Sequence, residues 1–560
     1  SMALRDLTTG DNNVGLGFKA GYATTTGTGN VAVGACALCK NTTGAANIAI
    51  GFRSLDANVG GNCNMGLGQQ ALESNTSGFA NVAVGTDALN ANTTANCNVA
   101  VGTLALAANT TGHSNTAVGT NAMCLNTTGH SNTAYGIAAL LKNTEGCFNV
   151  ALGKRALVCN TTGCFNLAIG PDAMYQNTTG RCNTASGYYA LGVGAAGCEN
   201  AAFGFKAGMG VNGGKHNSAF GYQALKATGT KCLNTAIGHN SMLGLTTGCH
   251  NTALGYGTLC NSTTACDNTA VGYAALANTT GADNVAVGMS ALVANTTANE
   301  NVAVGERALC SNTTGSQNTS IGQQSSAKNT TGYDNVVVGK SALHDNTTGA
   351  WNTAVGRNVL NANTTASCNT GIGACALLCN TTGTQLVANG FRALTKNTTG
   401  SENTGSGAYA LTCNTTGCEN AAFGRKSMCK NTTGFNNAAF GQASLSNNET
   451  GYENVAVGNR AMVLNSTGCW NTGIGAKALC ANTTACFNTA VGGCSLMVNT
   501  TGYSNTAVGF GSLCANTCGD HNTSVGMNSM RANTTGYRNT AIGRSALRGN
   551  TTGYKNTASG

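Results

Sequence analysis

Charge, proline and long apolar runs are all scarce in this sequence. Only 8% of the 560 residues are charged, and Pro171 is the single proline. Charge pairs therefore do not hold the fold together, and proline, which cannot donate to a β-ladder, is kept out of almost the whole chain. No apolar stretch reaches the roughly 20 residues of a membrane-spanning helix, so we expect no membrane insertion.

Arrangements that carry catalysis are also missing. No Ser-His-Asp or paired-carboxylate set recurs, and the glycine motifs at residues 192–197 and 208–213 lack the βαβ context of a dinucleotide loop. The best metal candidate is one column of repeat-equivalent residues, His113, His130, Cys147 and Cys164. Side chains stacked at strand spacing do not surround an ion tetrahedrally. We therefore expect no enzyme activity, no cofactor and no metal.

Repetition is what the sequence has in abundance. The type unit, NTAVGTNAMCLNTTGHS at residues 115–131, opens with an Asn that recurs every 17 residues between Asn13 and Asn556. The step from Asn268 to Asn284 is one residue shorter, and only Leu386 replaces the Asn. A short, strict period of this kind predicts a solenoid, in which each repeat is stable only when stacked on its neighbours. We expect residues 1–560 to form one continuous array.

The residue types favour an all-β, parallel solenoid (a β-roll) of 17-residue coils. Two glycines per repeat, Gly119 and Gly129, would destabilise a helix by about 1 kcal/mol each relative to alanine. Thr116–Val118 is predicted to be a short strand and residues 126–128 a second, polar strand. Gly119 and Gly129 are predicted to form corners, where glycine tolerates a positive φ.

Stacked coils place equivalent Asn side chains in columns, where they can hydrogen-bond along the stack as in cross-β ladders. One predicted column passes through the opening Asn of each repeat, for example Asn98, Asn115, Asn132 and Asn149. A second column passes through the Asn of each NTTG. The NTT triplet is also a glycosylation sequon, which would carry sugars only in a secreted eukaryotic setting.

Both faces of the predicted strand are apolar or small. In NTAVG the second and fourth residues point one way and the third the other. A single-chain solenoid buries only one face of each strand. A strand with two apolar faces therefore indicates packing against another chain. We therefore expect a homo-oligomer. The net charge is +9, but the basic residues are scattered at corners and form no basic run. We therefore expect no nucleic-acid partner.

The 27 cysteines cluster at two places in the repeat. Thirteen lie just before the opening Asn and ten follow the second apolar pair. Neighbouring coils would bring column-mates within roughly 5 Å, inside the Cα window for a disulfide. The candidate axial disulfides are Cys147 with Cys164, Cys182 with Cys198, and Cys469 with Cys486. Free packed thiols, and pairs within one coil such as Cys480 with Cys486, are alternatives.

The motif order NTAVG, AL, NTTG, as at residues 115–129, 539–553 and in part 505–519, resembles the repeats of phage and algal-virus tail-fibre-like proteins. NTAVG itself is similar to the NSVAIG-type motif of trimeric autotransporter adhesin heads. The resemblance implies a left-handed β-roll with three chains around an axis. It also implies a fibre shaft or adhesin head on an extracellular or virion surface, attaching to a host glycan or protein. The repeat here is longer and richer in cysteine than in those heads.

Two other functions fit the same residues. The stacked Thr and Asn rows could bind ice or polysaccharide on a monomeric solenoid, or the chain could be a passive mechanical spacer. Ser1 and Met2 look like the remainder of a cleaved tag, and the chain starts and stops in mid-repeat. We therefore expect a fragment of a longer fibre protein.

Overall fold

The predicted all-β, parallel solenoid of 17-residue coils is confirmed. The structure, a computed structural model, describes residues 2–560, and in that range it contains 33 short strands and no helix. Each strand has three residues and begins directly after the residue that opens a repeat. One strand per coil follows from this spacing. The left-handed sense remains a prediction.

The chain divides into two compact units, one ending at Thr280 and the other beginning at Gly281. The strands of the first unit are β1 (Val14–Leu16), β2 (Val31–Val33), β3 (Ile48–Ile50), β4 (Met65–Leu67), β5 (Val82–Val84), β6 (Val99–Val101), β7 (Thr116–Val118), β8 (Thr133–Tyr135), β9 (Val150–Leu152), β10 (Leu167–Ile169), β11 (Thr184–Ser186), β12 (Ala201–Phe203), β13 (Ser218–Phe220), β14 (Thr235–Ile237), β15 (Thr252–Leu254) and β16 (Thr269–Val271).

The second unit has the same organisation. Its strands are β17 (Val285–Val287), β18 (Val302–Val304), β19 (Thr319–Ile321), β20 (Val336–Val338), β21 (Thr353–Val355), β22 (Thr370–Ile372), β23 (Val387–Asn389), β24 (Thr404–Ser406), β25 (Ala421–Phe423), β26 (Ala438–Phe440), β27 (Val455–Val457), β28 (Thr472–Ile474), β29 (Thr489–Val491), β30 (Thr506–Val508), β31 (Thr523–Val525), β32 (Thr540–Ile542) and β33 (Thr557–Ser559).

Within each unit, every strand pairs in parallel with the strand of the next coil. The register is one repeat, so that Thr116 lies beside Thr133 and Ala117 beside Ala134 in the pair β7–β8. Equivalent residues therefore form columns along each unit. We number a coil from its opening Asn as position 1, so the strand occupies positions 2 to 4.

The core of a coil consists of three apolar side chains. In the type unit these are Ala117 at position 3, Ala122 at position 8 and Met123 at position 9, all fully buried. Most other coils have Ala, Ala and Leu at the same positions. Small residues at positions 3 and 8 leave space for one larger side chain at position 9. These three side chains are enough to fill the interior of so short a coil.

The second predicted strand is wrong, because residues 126–128 contain no strand and Thr127 and Thr128 form a bend. The backbone there is still tied to the next coil: the N–H groups of Thr127, Thr128 and Gly129 all converge on the carbonyl of Thr144, at 3.1 Å each. Three donors sharing one acceptor turn the chain sharply. This geometry is incompatible with the alternating pattern of a ladder.

The corners differ in part from the prediction. Gly119 at position 5 has φ of 131°, and a Cβ there would lie 2.6 Å from the carbonyl oxygen of Gly136 in the next coil. This explains why position 5 is glycine in every coil. Gly129 does not have a positive φ. The other left-handed residues are Asn121, Met123 and Ser131, at positions 7, 9 and 17.

No helix among residues 2–560 has the length and apolar character that crossing a membrane requires.

Candidate interaction surface

The outward strand face carries larger apolar side chains than the inward face. Position 3 points inward and is mostly Ala, whereas position 4 points outward and is Val, Ile, Leu or an aromatic residue in nearly every strand. The exceptions at position 4 are Ser186, Asn389, Ser406 and Ser559. A folded chain normally places its larger apolar side chains inside. Within the strand this order is reversed, and an apolar stripe, interrupted at those four residues, remains on the surface of each unit.

Several residues of this stripe are substantially exposed. Leu67 is 42% exposed, Ile372 41% and Phe440 42%. No strand contains a charged residue at any of its three positions. Charged side chains are depleted from the centre of protein interfaces, because removing them from water is costly. The outward strand face therefore has the composition of an interface.

The opening Asn residues form a hydrogen-bonded column. Each side-chain oxygen accepts from the next Asn along the column: the Oδ1 of Asn115 accepts from the backbone N of Asn132 at 3.0 Å and from its Nδ2 at 3.2 Å. Asn115 in turn donates from its backbone N to Asn98 Oδ1 at 2.9 Å, and Asn149 continues the column. These side chains are buried and paired, which gives them a structural role.

A second Asn column lies at position 12, in the NTT motif. Asn126 is fully buried and donates from Nδ2 to Asn109 Oδ1 at 2.8 Å and to the Gly129 carbonyl at 2.9 Å. The same Gly129 carbonyl accepts from Asn115 Nδ2 at 2.8 Å, so the two columns meet there. A sequon whose Nδ2 is buried with two acceptors is closed to a sugar in the folded chain.

The position-12 column is interrupted in the first unit between Asn177 and the unit boundary. Position 12 is held there by other residues, namely Gly194, Val211, Thr228, Leu245 and Ser262. The Ser262 hydroxyl is buried without a hydrogen-bond partner. These coils therefore lack the amide chain that ties their neighbours together.

Lys231 lies inside this interruption. It is fully buried at position 15, where every other coil has Gly or Ala. Its Nζ donates to the carbonyls of Leu245 at 2.9 Å, Leu225 at 3.2 Å and Ala227. Burial lowers the pKa of Lys231 to about 7. A lysine amine thus does the bonding that Asn amides do in other coils.

An exposed column of rings runs along the same coils at position 6. Successive rings are nearly parallel, with centroids 4.8–5.4 Å apart. The members are Tyr188, Phe205, Tyr222, His239, Tyr256 and Tyr273. Because the ring faces cover one another, only their edges meet solvent. The aromatic column could have been recognised from its 17-residue spacing, but the sequence reasoning missed it.

The cysteines placed just before the opening Asn occupy two columns, not one. The position-16 column contains Cys147, Cys164, Cys198, Cys232, Cys249, Cys266, Cys418, Cys469 and Cys486, and the position-17 column contains Cys63, Cys97, Cys182 and Cys368. All four position-17 thiols are exposed, whereas those of position 16 are half-buried. All 27 cysteines are free in the structure.

Two of the three candidate disulfide pairs are column-mates. Cys147 donates its backbone N–H to Cys164 Sγ at 3.2 Å, and the Sγ atoms of Cys469 and Cys486 lie 2.8 Å apart. Cys182 and Cys198, the third candidate pair, are not column-mates. Cys198 stands one coil after Arg181, so the two cysteines are offset by one position.

The predicted column of His113, His130, Cys147 and Cys164 is present as a stack. The two imidazole rings lie face to face with centroids 4.8 Å apart and planes 6° from parallel. The described residues contain no group of three or more His, Cys, Asp or Glu side chains arranged to hold a metal ion. Stacking directs the ring faces at each other, and ligand nitrogens do not converge.

No family model matches the chain, and no curated protein matches it.

Proposed function

We propose that this protein is a non-enzymatic structural protein whose chains associate through their outward strand faces. The observation that carries the proposal is the reversed placement of apolar side chains on the strand, with Ala facing inward and Val, Ile, Leu or Phe facing outward. An exposed apolar stripe of this continuity marks an interaction surface in soluble proteins. A second copy is the occupant that fits best, because it brings a face with the same coil spacing and no charge.

The assembled solenoid would serve as a fibre shaft or adhesin head that attaches to a host glycan or protein on an extracellular or virion surface. The resemblance of the NTAVG and NTTG motifs to tail-fibre-like and adhesin-head repeats supports this role, and it favours three chains. The strand faces carry no acidic or basic side chain, which suits a structural role.

Light scattering tests the association directly. We expect a mass that is a multiple of the 55.8 kDa chain, three-fold for the trimer. A strictly monomeric mass at micromolar concentration contradicts the proposal. Binding to a glycan array and to whole cells then tests attachment, and an assembled protein that binds neither is a spacer.

Substitutions on the strand face locate the contact. Lysines at position 4 should dissociate the assembly, because each would bury an unpaired charge. A matched variant carries the same lysines at exposed position 14 of the same coils and should stay assembled. The first variant changes Val84, Val101, Val118, Val355, Val457 and Val491, and the second changes Thr94, Thr111, Thr128, Thr365, Thr467 and Thr501. Circular dichroism checks that both remain folded.

A row of exposed threonines in the second unit supports a second candidate, binding of ice or polysaccharide. Thr occupies exposed position 14 in thirteen successive coils, from Thr297 to Thr501. The position-13 hydroxyls point back to the backbone instead, as in Thr313, which donates to the Thr330 carbonyl at 3.0 Å. A thermal-hysteresis measurement on the chain tests ice binding, and absence of hysteresis removes it.

A further inference from the structure

One pair in the position-16 cysteine column is arranged differently from the others. Most thiols of this column turn back to their own coil: Cys147 donates to the Glu145 carbonyl at 3.2 Å and Cys418 to the Thr416 carbonyl at 3.4 Å. The Sγ of Cys469 instead lies 2.8 Å from the Sγ of Cys486 in the next coil. The backbone N–H of Cys469 also donates to Cys486 Sγ, at 3.1 Å.

The backbone at this place suits a covalent link. Cys469 and Cys486 occupy the same position of adjacent coils, whose strands β27 and β28 pair in register. Adjacent strands lie about 4.7–4.9 Å apart, inside the 4.4–6.8 Å range of Cα separations found in disulfides. The spacing of neighbouring coils therefore allows the bond, and the Sγ of Cys469 already lies next to that of Cys486.

We propose that Cys469 and Cys486 form a redox-responsive pair that closes an axial disulfide between two successive coils. The oxidant is a small-molecule disulfide. The thiolate of one cysteine attacks it, forms a mixed disulfide and releases one small thiol. The second cysteine then attacks the protein sulfur of that mixed disulfide, which forms the Cys469–Cys486 bond and releases the second small thiol. Both cysteine protons end on the two released thiols.

The proposed bond does not depend on self-association. Both thiols belong to one chain and lie at position 16, away from the strand face that the proposed function uses. A solenoid coil is stabilised mainly by its immediate neighbours, so a covalent link between Cys469 and Cys486 would strengthen the boundary between their two coils. The pair is half-buried, which leaves it accessible to a small oxidant.

Titration with oxidised glutathione tests the proposal on the reduced full chain. After dilute oxidation, alkylation under denaturing conditions should detect two thiols fewer than the 27 of the reduced chain. Mass spectrometry should find the peptides of Cys469 and Cys486 linked within one chain. The linked product should disappear in Cys469→Ser and in Cys486→Ser. It should persist in Cys480→Ser, which removes another thiol of the same coil, and in Cys418→Ser, which removes one of the same column.

Three results would contradict the proposed Cys469–Cys486 disulfide. They are a linked product that survives Cys486→Ser, glutathione that stays attached to Cys469, and a Cys147–Cys164 link formed at equal yield. Light scattering of the reduced chain reports the proposed association separately, so either idea can fail alone.

Discussion

At the scale of single residues, Lys231 makes the clearest prediction. Its folded-state pKa of about 7 lies below the ordinary 10.5, so between these values the unfolded chain holds a proton that the folded chain lacks. Stability should therefore rise with pH through this window, by at most about 1.4 kcal/mol per pH unit. In Lys231→Met this contribution is absent. Urea unfolding at pH 7.0 and 8.5 should show the stability of the wild type rising relative to that of Lys231→Met, by about 2 kcal/mol.

The comparison between variants is needed because thiols also titrate here. Burial raises the pKa of several cysteines, including Cys124 and Cys260, so their stabilising contribution is present below the ordinary thiol pKa and is lost as pH rises above it toward the raised folded-state value. It cancels in the difference between wild type and Lys231→Met. Lys215→Met, at an exposed lysine of the neighbouring coil, is the control for removing a lysine side chain.

A second prediction at this scale concerns the opening Asn. Asn115→Leu removes the acceptor of two hydrogen bonds from Asn132 and the donor to Gly129. Each buried group left unpaired costs about 1–3 kcal/mol, so we expect a loss of several kcal/mol in urea unfolding. The reciprocal change is Leu386→Asn. It restores a side-chain oxygen to the opening-Asn column in the coil that precedes that of Asn403. It should cost far less than Asn115→Leu or stabilise the chain, and equal losses in both would argue against the column as a source of stability.

At the scale of structural elements, the aromatic column should stabilise the coils in which the position-12 Asn column is interrupted. Tyr222 stacks on Phe205 with centroids 5.1 Å apart and on His239 at 4.8 Å. Tyr222→Leu removes both ring contacts and should cost about 1–3 kcal/mol, since each aromatic pair contributes about 0.5–1.5 kcal/mol beyond area burial. Phe52→Leu is the control: it changes an exposed ring at the same position whose neighbours, Ala35 and Gln69, carry no ring. Thermal unfolding of both variants checks the difference.

The strands and columns could be predicted from the sequence because they depend on one strict period. The 17-residue spacing fixes register, and register alone places Asn115 beside Asn132 and Ala117 beside Ala134. The left-handed residues could not be predicted in the same way. Met123 and its Leu equivalents at position 9 are buried with φ near 50°, a conformation that disfavours such side chains locally. It is held by bonds between coils, such as Met123 N–H to the Ala139 carbonyl at 2.9 Å.

The direction of each thiol within the cysteine columns also could not be predicted from the sequence. Counting residues back from the next Asn places Cys182 at position 17 and Cys198 at position 16, so the sequence alone shows that these two are not column-mates. The sequence does not distinguish Cys147 with Cys164 from Cys469 with Cys486, because both pairs are 17 residues apart at position 16. Only the orientation of the Cys469 thiol, away from its own coil, separates them.

At the scale of the whole molecule, stability should vary along the chain with the completeness of its hydrogen-bonded columns. Stability in a solenoid is approximately a sum of terms from each repeat and its neighbours, so local opening reports local bonding. In the first unit both Asn columns are complete across residues 81–160, whereas across 183–267 position 12 lacks Asn and Ser262 has an unpaired hydroxyl. Hydrogen exchange of the full chain, read by mass spectrometry, should therefore be faster by at least about ten-fold in residues 183–267, the equivalent of about 1.4 kcal/mol. Tyr222→Leu should widen this gap, and uniform protection across both segments would mean that strand pairing alone, without the Asn columns, sets the stability of a coil.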